Sequence, residues 1–217
     1  MSPATIRKRR RLSPEDRRQE LLAATQRVIE QYGYADSSVP RVVAEADTAQ
    51  GNFYRYFKNL DDAFLALVRT LLEPVQTAAF GLDFSTVTTP RQVEEVLLTF
   101  YRQLGRLLAA HAKVLREVLL VGQAAPGPVG REITAFLNQM RALAKLLIDT
   151  HMQRPPFRPT MDSEIVAGAI VGMIVGAVQD ASLLGKKFDS EKWAIEMARL
   201  ETGALVDPGA YANDRGA

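Results

Sequence analysis

Apolar side chains recur along this sequence at three- and four-residue intervals, and nowhere do they alternate for long at the period of two that marks a half-buried strand. The pattern predicts an all-α protein of about nine helices, with no internal repeat. The first helix opens with Ser13 as cap, Pro14 in its first turn, and Glu15 and Asp16 at the positive end of the helix dipole. Leu21, Leu22, Val28, Ile29 and Tyr32 mark its apolar face, and Gly33 supplies a left-handed stop. A short second helix follows, capped by Ser38, admitting Pro40 in its first turn and burying Val39, Val42, Val43 and Ala46. Asp47 then makes a turn, Thr48 caps, and a third helix runs to about Phe57, with Phe53 and Phe57 four apart on its inner side.

From Asn59 and Asp61 a longer helix is expected, with Phe64, Leu65, Val68, Leu71 and Leu72 at helical spacing and a kink at Pro74. Past a loop at 81–90 the pattern stays helical over 93–111, 113–122, 129–152, 163–184 and 190–205. The breaks fall at Pro126, Gly127 and Pro128, at Pro155, Pro156 and Pro159, and at Gly185, as in the connections of a helical bundle. The expected organisation is a charged arm at 1–12, a three-helix head at 13–58, a helical body at 59–206 and a tail at 207–217, with fraying from Val206 onward.

Composition sharpens this division. The 217 residues can bury a sizeable core, and the net charge of +2 is unevenly placed. Residues 1–60 hold 11 Lys and Arg against 7 Asp and Glu, while the remainder holds 16 against 18, so only the head is suited to a polyanion. No cysteine is present, which excludes disulfides and Cys-ligated zinc and permits a reducing cytoplasm. The basic N-terminus lacks the apolar stretch of a secretory signal. The longest apolar run, 165–178, falls short of the roughly 20 residues that cross a bilayer. A soluble, cytoplasmic protein without a membrane partner is expected.

Signatures of catalysis are missing. His111 and His151 are the only histidines and lack metal-binding helical spacing, and there is no Gly-x-Ser-x-Gly elbow. Around Gly185 and Lys186 the pattern of a phosphate loop fails, because Asp180 stands at its first glycine and Lys187 at its Ser/Thr. No catalytic residue, cofactor or metal is therefore expected.

The chemistry lies instead in SSVPRVVAEADTAQGNFYRYF, from Ser37 to Phe57. A short helix, a tight turn and a second short helix present Gln50, Asn52, Tyr54, Arg55 and Tyr56 on one exposed face, downstream of the basic run Arg7, Lys8, Arg9, Arg10 and Arg11. Gln50 and Asn52 have the paired donors and acceptors that suit adenine, and Arg55 suits guanine, although any of the three could contact phosphate. Gly51 costs helix stability, roughly 1 kcal/mol against Ala, which close approach of the backbone to a duplex would offset. The basic arm reads equally as a groove- or phosphate-binding element and as a solvated tail.

From about Arg17 to Leu65 the chain resembles the N-terminal domain of the TetR family of transcriptional regulators. The resemblance rests on Gly33-Tyr34, on Ser37-Ser38-Val39, and on Thr48-Ala49-Gln50-Gly51-Asn52-Phe53-Tyr54-Arg55-Tyr56-Phe57. It implies a DNA-binding set of Ser37, Ser38, Thr48, Gln50, Gly51, Asn52, Tyr54, Arg55, Tyr56 and Lys58. Within it Ser37, Ser38 and nearby amides clamp phosphate, and Tyr54 and Tyr56 resemble the family's phosphate-contacting aromatics, with edge packing as the alternative reading. Three departures stand out: Asp47 replaces a turn glycine, Thr48 and Ala49 replace Val and Ser, and Leu60 stands where a phosphate-binding lysine is common, a role open to Lys58.

In the body the resemblance implies a ligand cavity, for which Phe100, Tyr101, Leu104, Leu108, His111, Phe136, Met140 and Leu143 are the candidates, although each taken singly reads first as plain core and His111 as a helix-terminus histidine. Gly168, Gly172 and Gly176 form a flat seam along an apolar helix beside Met173. Like the helix of Trp193, it is implied as a dimer interface, with packing inside the subunit as the alternative. The expected function is a homodimeric regulator, a repressor released from a double-stranded DNA operator by a small apolar or amphipathic effector. The alternative is a helical ligand- or partner-binding protein that has lost specific DNA recognition.

Overall fold

The computed structural model describes residues 13–121, 124, 127–151, 154–158 and 161–211. The basic arm, the expected helix ends at Gly122 and Met152, the breaks at Pro126 and Pro159, and the tail beyond Tyr211 lie outside the described residues. Eight α-helices are present and no strand occurs among the described residues: α1 Pro14–Tyr32, α2 Val39–Glu45, α3 Gln50–Phe53, α4 Leu60–Phe80, α5 Pro90–Arg116, α6 Pro128–His151, α7 Ser163–Leu184 and α8 Ser190–Leu205. The chain divides between Leu67 and Val68 into two compact units, and α4 contributes to both.

The first unit is built on α1. Ser13 accepts a hydrogen bond from the amide of Asp16 at 3.1 Å, and Gly33 ends the helix at φ 78°. Leu21, Leu22, Val28 and Ile29 are buried with Val42, Ala46, Phe53, Phe57 and Phe64 in one core. Burial of the Val, Leu, Ile and Phe side chains among these is worth on the order of 15 to 20 kcal/mol before entropy is counted, which is enough to hold short helices that would melt alone. Tyr34 stacks on Phe64 with ring centroids 4.3 Å apart, and its hydroxyl donates to Asp61 at 2.9 Å. Asn59 accepts from the amide of Asp62 at 2.9 Å, and Asp62 accepts in return from the amide of Lys58, so α4 starts sharply.

In the second unit α5 and α8 pack side by side, with α7 against α5 and α6. Gly105 makes the α5–α8 approach close: a Cβ there would lie 2.8 Å from the carbonyl oxygen of Ser190. The stretch 154–158 ties the end of α8 to the loop before α5. Arg154 donates to the carbonyls of Phe84 and Ser85 at 2.6 and 2.8 Å, and the amide of Arg158 donates to Leu205 at 3.0 Å. Val206, expected to fray, is therefore wholly buried, bridged to Phe157.

The two expected helices, 93–111 and 113–122, run together as α5 and meet at a kink at His111, whose backbone is not helical. The capping box of Thr89 and Gln92 starts α5 at Pro90, and His111 kinks it at φ −132°, ψ 17° without ending it. The segment Ala109-Ala110-His111-Ala112 holds no Gly or Pro to stop a helix. A π-helical turn, Glu117–Val121, follows. By length and composition α4 and α7 resemble bilayer-crossing helices, but each turns one apolar side into the protein core.

Candidate DNA-binding face and ligand cavity

The second and third helices meet at a turn in which Asp47 takes φ 45°, the only positive φ of a non-glycine among the described residues. Asp is one of the few residues that adopts this conformation routinely, so the turn survives without a glycine. Its bonds run from the amide of Thr48 to the carbonyl of Val43 at 2.9 Å and from the amide of Asp47 to Ala44 at 3.2 Å. Val42 and Ala46 are buried and anchor α2, while Val39 and Val43 are half-buried.

Helix α3 is a single turn, shorter than expected. Ala49, not Thr48, holds the cap position and makes no side-chain cap bond. Thr48 instead accepts from the side-chain amide of Asn52 at 2.9 Å. After Phe53 the chain passes through turns to Phe57, because it must redirect into α4 at Asn59. Phe53 and Phe57 are buried with ring centroids 5.5 Å apart, which fixes the opposite side of the segment outward.

That outward side exposes Gln50, Gly51, Tyr54, Arg55 and Lys58, with Tyr54 53% accessible. Asn52 and Tyr56 are half-buried. No heavy atom lies within 4 Å of a Cβ built on Gly51, so nothing inside the molecule requires a glycine there. Ser37 and Ser38 flank the start of α2. The Ser37 hydroxyl donates to the carbonyl of Gly33 at 2.6 Å, and Ser38 makes no cap bond. Basic side chains also brace the head: the Arg41 guanidinium lies 4.0 Å from the centroid of Tyr32, and Arg27 pairs with Glu45. Burial, and then Asp61, push the Tyr34 phenol up to about 12, so this hydroxyl stays a donor.

The second unit holds a partly open cavity of about 110 Å³ reached by α4, α5, α6, α7 and α8. Phe100, Leu104, Leu108, Phe136, Met140 and Leu143 are among the residues that line it. Tyr101 and His111 are not among its lining residues. Tyr101 is fully buried between α5 and α8, and His111 sits at the kink. Sequence reasoning missed the two ionisable side chains that do line the cavity, His151 and Glu201. His151 is held below its ordinary value by burial and by Arg154. Glu201, only 6% exposed, accepts a hydrogen bond from the Tyr101 hydroxyl, and burial pushes its carboxyl up to about 7. Burial, and then this carboxyl, push the phenol of Tyr101 up. A glutamate among Arg199, Leu200 and Thr202 carries no local signal of burial; only helical spacing from Ala194 and Ala198 hints at its inward face.

On α7 the glycine seam faces out. Gly172 and Gly176 are exposed, no atom lies within 4 Å of a Cβ built on Gly168, Gly172 or Gly176, and Ile165 and Leu183 on the same helix are 70% and 75% accessible. Met173 is half-buried. Trp193 packs inside the subunit, edge-on to Tyr101 at 5.6 Å and 5.9 Å from Phe188. Among the described residues no group of acidic or histidine side chains is arranged to hold a metal ion.

No curated protein matches the chain. Among solved structures its fold is similar to that of the fatty acid degradation regulator FadR from Bacillus halodurans, at TM-score 0.73 and 20% identity over 89% of this chain and 97% of that one. It is similar also to SmeT, the repressor of the Stenotrophomonas maltophilia multidrug efflux pump SmeDEF, at 0.66 and 16% over 89% and 92%. A SmeT–triclosan complex gives 0.68 and 17% over 90% and 94%. Residues 21–67, which span most of the helix-turn-helix head, match the family model of the bacterial regulatory proteins, tetR family, so the head of this chain is a DNA-binding module of the TetR type.

Proposed function

We propose that this regulator is a homodimeric repressor that a small apolar or amphipathic effector releases from its operator. The observation that carries the reading is the uncovered polar face of α3, where Gln50, Arg55 and Tyr54, the last edge-on to Phe53 at 5.6 Å, are exposed around a glycine that the protein's own packing does not require. Such a face fits a major groove: Gln50 reads an adenine edge, Arg55 a guanine or a phosphate, and the bare backbone at Gly51 lets the duplex approach. Asn52 keeps one amide hydrogen and its oxygen for DNA after bonding Thr48. Tyr54, Tyr56, Lys58, Ser37 and Ser38 serve the phosphates on either side, and Thr48 acts through Asn52. The head is residues 13–58 in this reading and the remainder to 206 is the ligand-binding and dimerisation body.

Dimerisation is assigned to the exposed apolar face of α7, from Ile165 through Gly168, Gly172 and Gly176 to Leu183, with Met173 at its edge. Two copies crossing at the glycines would approach closely and cover side chains that are otherwise wet. Leu200, exposed on α8, extends the same kind of surface to the Trp193 helix. Each protomer then supplies one head to one half-site.

The cavity and the recognition helix are linked by α4. Its first residues pack in the head, as Ala63 and Phe64, and its later ones, Leu72, Val75 and Ala79, line the cavity. An effector shifts the heads only by its difference in affinity for the DNA-bound and released states. That SmeT has been captured with triclosan supports a small apolar effector in a related fold. Electrophoretic retardation on genomic fragments at stated salt tests the reading. Retention of specific fragments supports it, and equal, weak retention of all fragments overturns it in favour of a protein that has lost operator recognition.

A further inference from the structure

The ligand cavity has an almost wholly apolar lining, and the polar group on its α8 side is a carboxyl. Glu201 is buried, and among the described residues its one hydrogen-bond partner is the Tyr101 hydroxyl, which donates to Oε2. The carboxyl is thus held from the Tyr101 side, and Glu201 presents it at the cavity wall. A carboxyl in an apolar cavity wall is an acceptor that a ligand donor can pair with, and in that low-dielectric setting the pairing is stronger than in water. The other ionisable lining group is His151, at the end of α6, and the parts of α4, α5 and α7 that reach the cavity are apolar.

Resting on the effector-binding reading above, we propose that Glu201, positioned by Tyr101, is the specificity-determining group of the cavity, and that the effector is an apolar molecule whose head donates a hydrogen bond, a hydroxyl or a protonated amine, rather than a carboxylate. A carboxylate head would bring a second acceptor and a like charge to this carboxyl in a medium of low dielectric. A hydroxyl donates to it, and an ammonium group donates to it and neutralises the charge as well. Ionisation favours the cation further, since burial places the midpoint of Glu201 at about 7 and the carboxylate form predominates at pH 8.

The sole tryptophan of the chain reports on this corner of the cavity, because Trp193 lies edge-on to Tyr101 at 5.6 Å. The full-length protein is titrated at pH 8 with decylamine, 1-decanol and decanoate, each below its micelle concentration, with Trp193 emission as readout. Decylammonium is expected to bind about tenfold or more tightly than decanoate, with decanol between them, which is the scale of one charge-assisted hydrogen bond. In Glu201→Gln, whose amide oxygen still accepts, decanol should stay within about threefold while the gap between amine and acid closes. Lowering the pH from 8 to 6 should weaken the amine in the wild type more than in this variant, the remainder belonging to His151. Decanoate binding as tightly as the amine, or no binding of any of the three, overturns the assignment, and the wild-type ranking decides even if the variant fails to fold. The same probes are then added to the protein–DNA complex. Ranked binding without DNA release keeps the cavity assignment and removes the repressor reading; specific DNA binding with an unranked cavity does the reverse.

Discussion

The hydroxyl of Tyr101 on α5 donates to the carboxyl of Glu201 on α8, 100 residues further along the chain, and both side chains lie in the core between the two helices. Burial raises the folded-state value of Glu201 to about 7 from its ordinary 4.5. A raised carboxyl favours the folded state fully below the unfolded value, and this contribution is lost as pH rises through the folded one. The stability of the wild type relative to Glu201→Gln should therefore fall by roughly 3 kcal/mol between pH 4.5 and pH 8. Urea denaturation of both proteins across this range measures the difference, in which the other titrating groups cancel. A flat difference would place the carboxyl in water.

The α3 face makes a second prediction. Gln50→Ala should weaken binding at the preferred operator by about 1 to 3 kcal/mol and relax its sequence preference, whereas Tyr54→Ala should weaken binding evenly across sequences. Both side chains are exposed, so thermal stability should hardly change. Fluorescence anisotropy on the operator and on scrambled duplexes separates the two patterns; wild-type behaviour from both variants would move recognition elsewhere.

The basic run from Arg7 to Arg11 is expected to act electrostatically. Removing it should lower affinity and flatten the dependence of log K on log salt by roughly 0.9 for each phosphate no longer neutralised. An unchanged slope would make the run a spectator.

Gly172 gives the test of assembly. A side chain there meets nothing inside the subunit, so Gly172→Leu should leave the isolated protomer intact, even favoured by about 1 kcal/mol of helix propensity. Between two paired helices the same leucine should overpack by about 1 to 3 kcal/mol and shift sedimentation toward monomer. A variant that stays dimeric would take the interface away from the seam.

Gly105 is the contrasting case. Its missing Cβ is what lets α5 meet the backbone of Ser190, and Gly105→Ala should destabilise the body by about 1 to 3 kcal/mol and change Trp193 emission, since that ring also lies 3.4 Å from the built Cβ. Differential scanning calorimetry with tryptophan fluorescence checks both effects.

Local features were legible in the amino acids alone. Helical period, the Ser13 cap, the breakers at Gly33 and Gly185 and the tolerance of Asp47 for positive φ are each decided within a few residues, and they laid out an all-α protein with a helix-turn-helix head. Phe53 and Phe57 likewise told which side of α3 faces outward. Packing settled what depends on residues far apart. Helix α3 stops after one turn because the chain must reach Asn59, and Val206 is ordered because Phe157 and the carbonyls at the end of α8 meet it. Trp193 turns inward because Gly105 makes room for it. Glu201 and His151 line the cavity, and Tyr101 and His111 do not, for the same reason: a side chain's place on a helix follows from its period, but whether that face meets a neighbour, a void or water is set by how the helices pack.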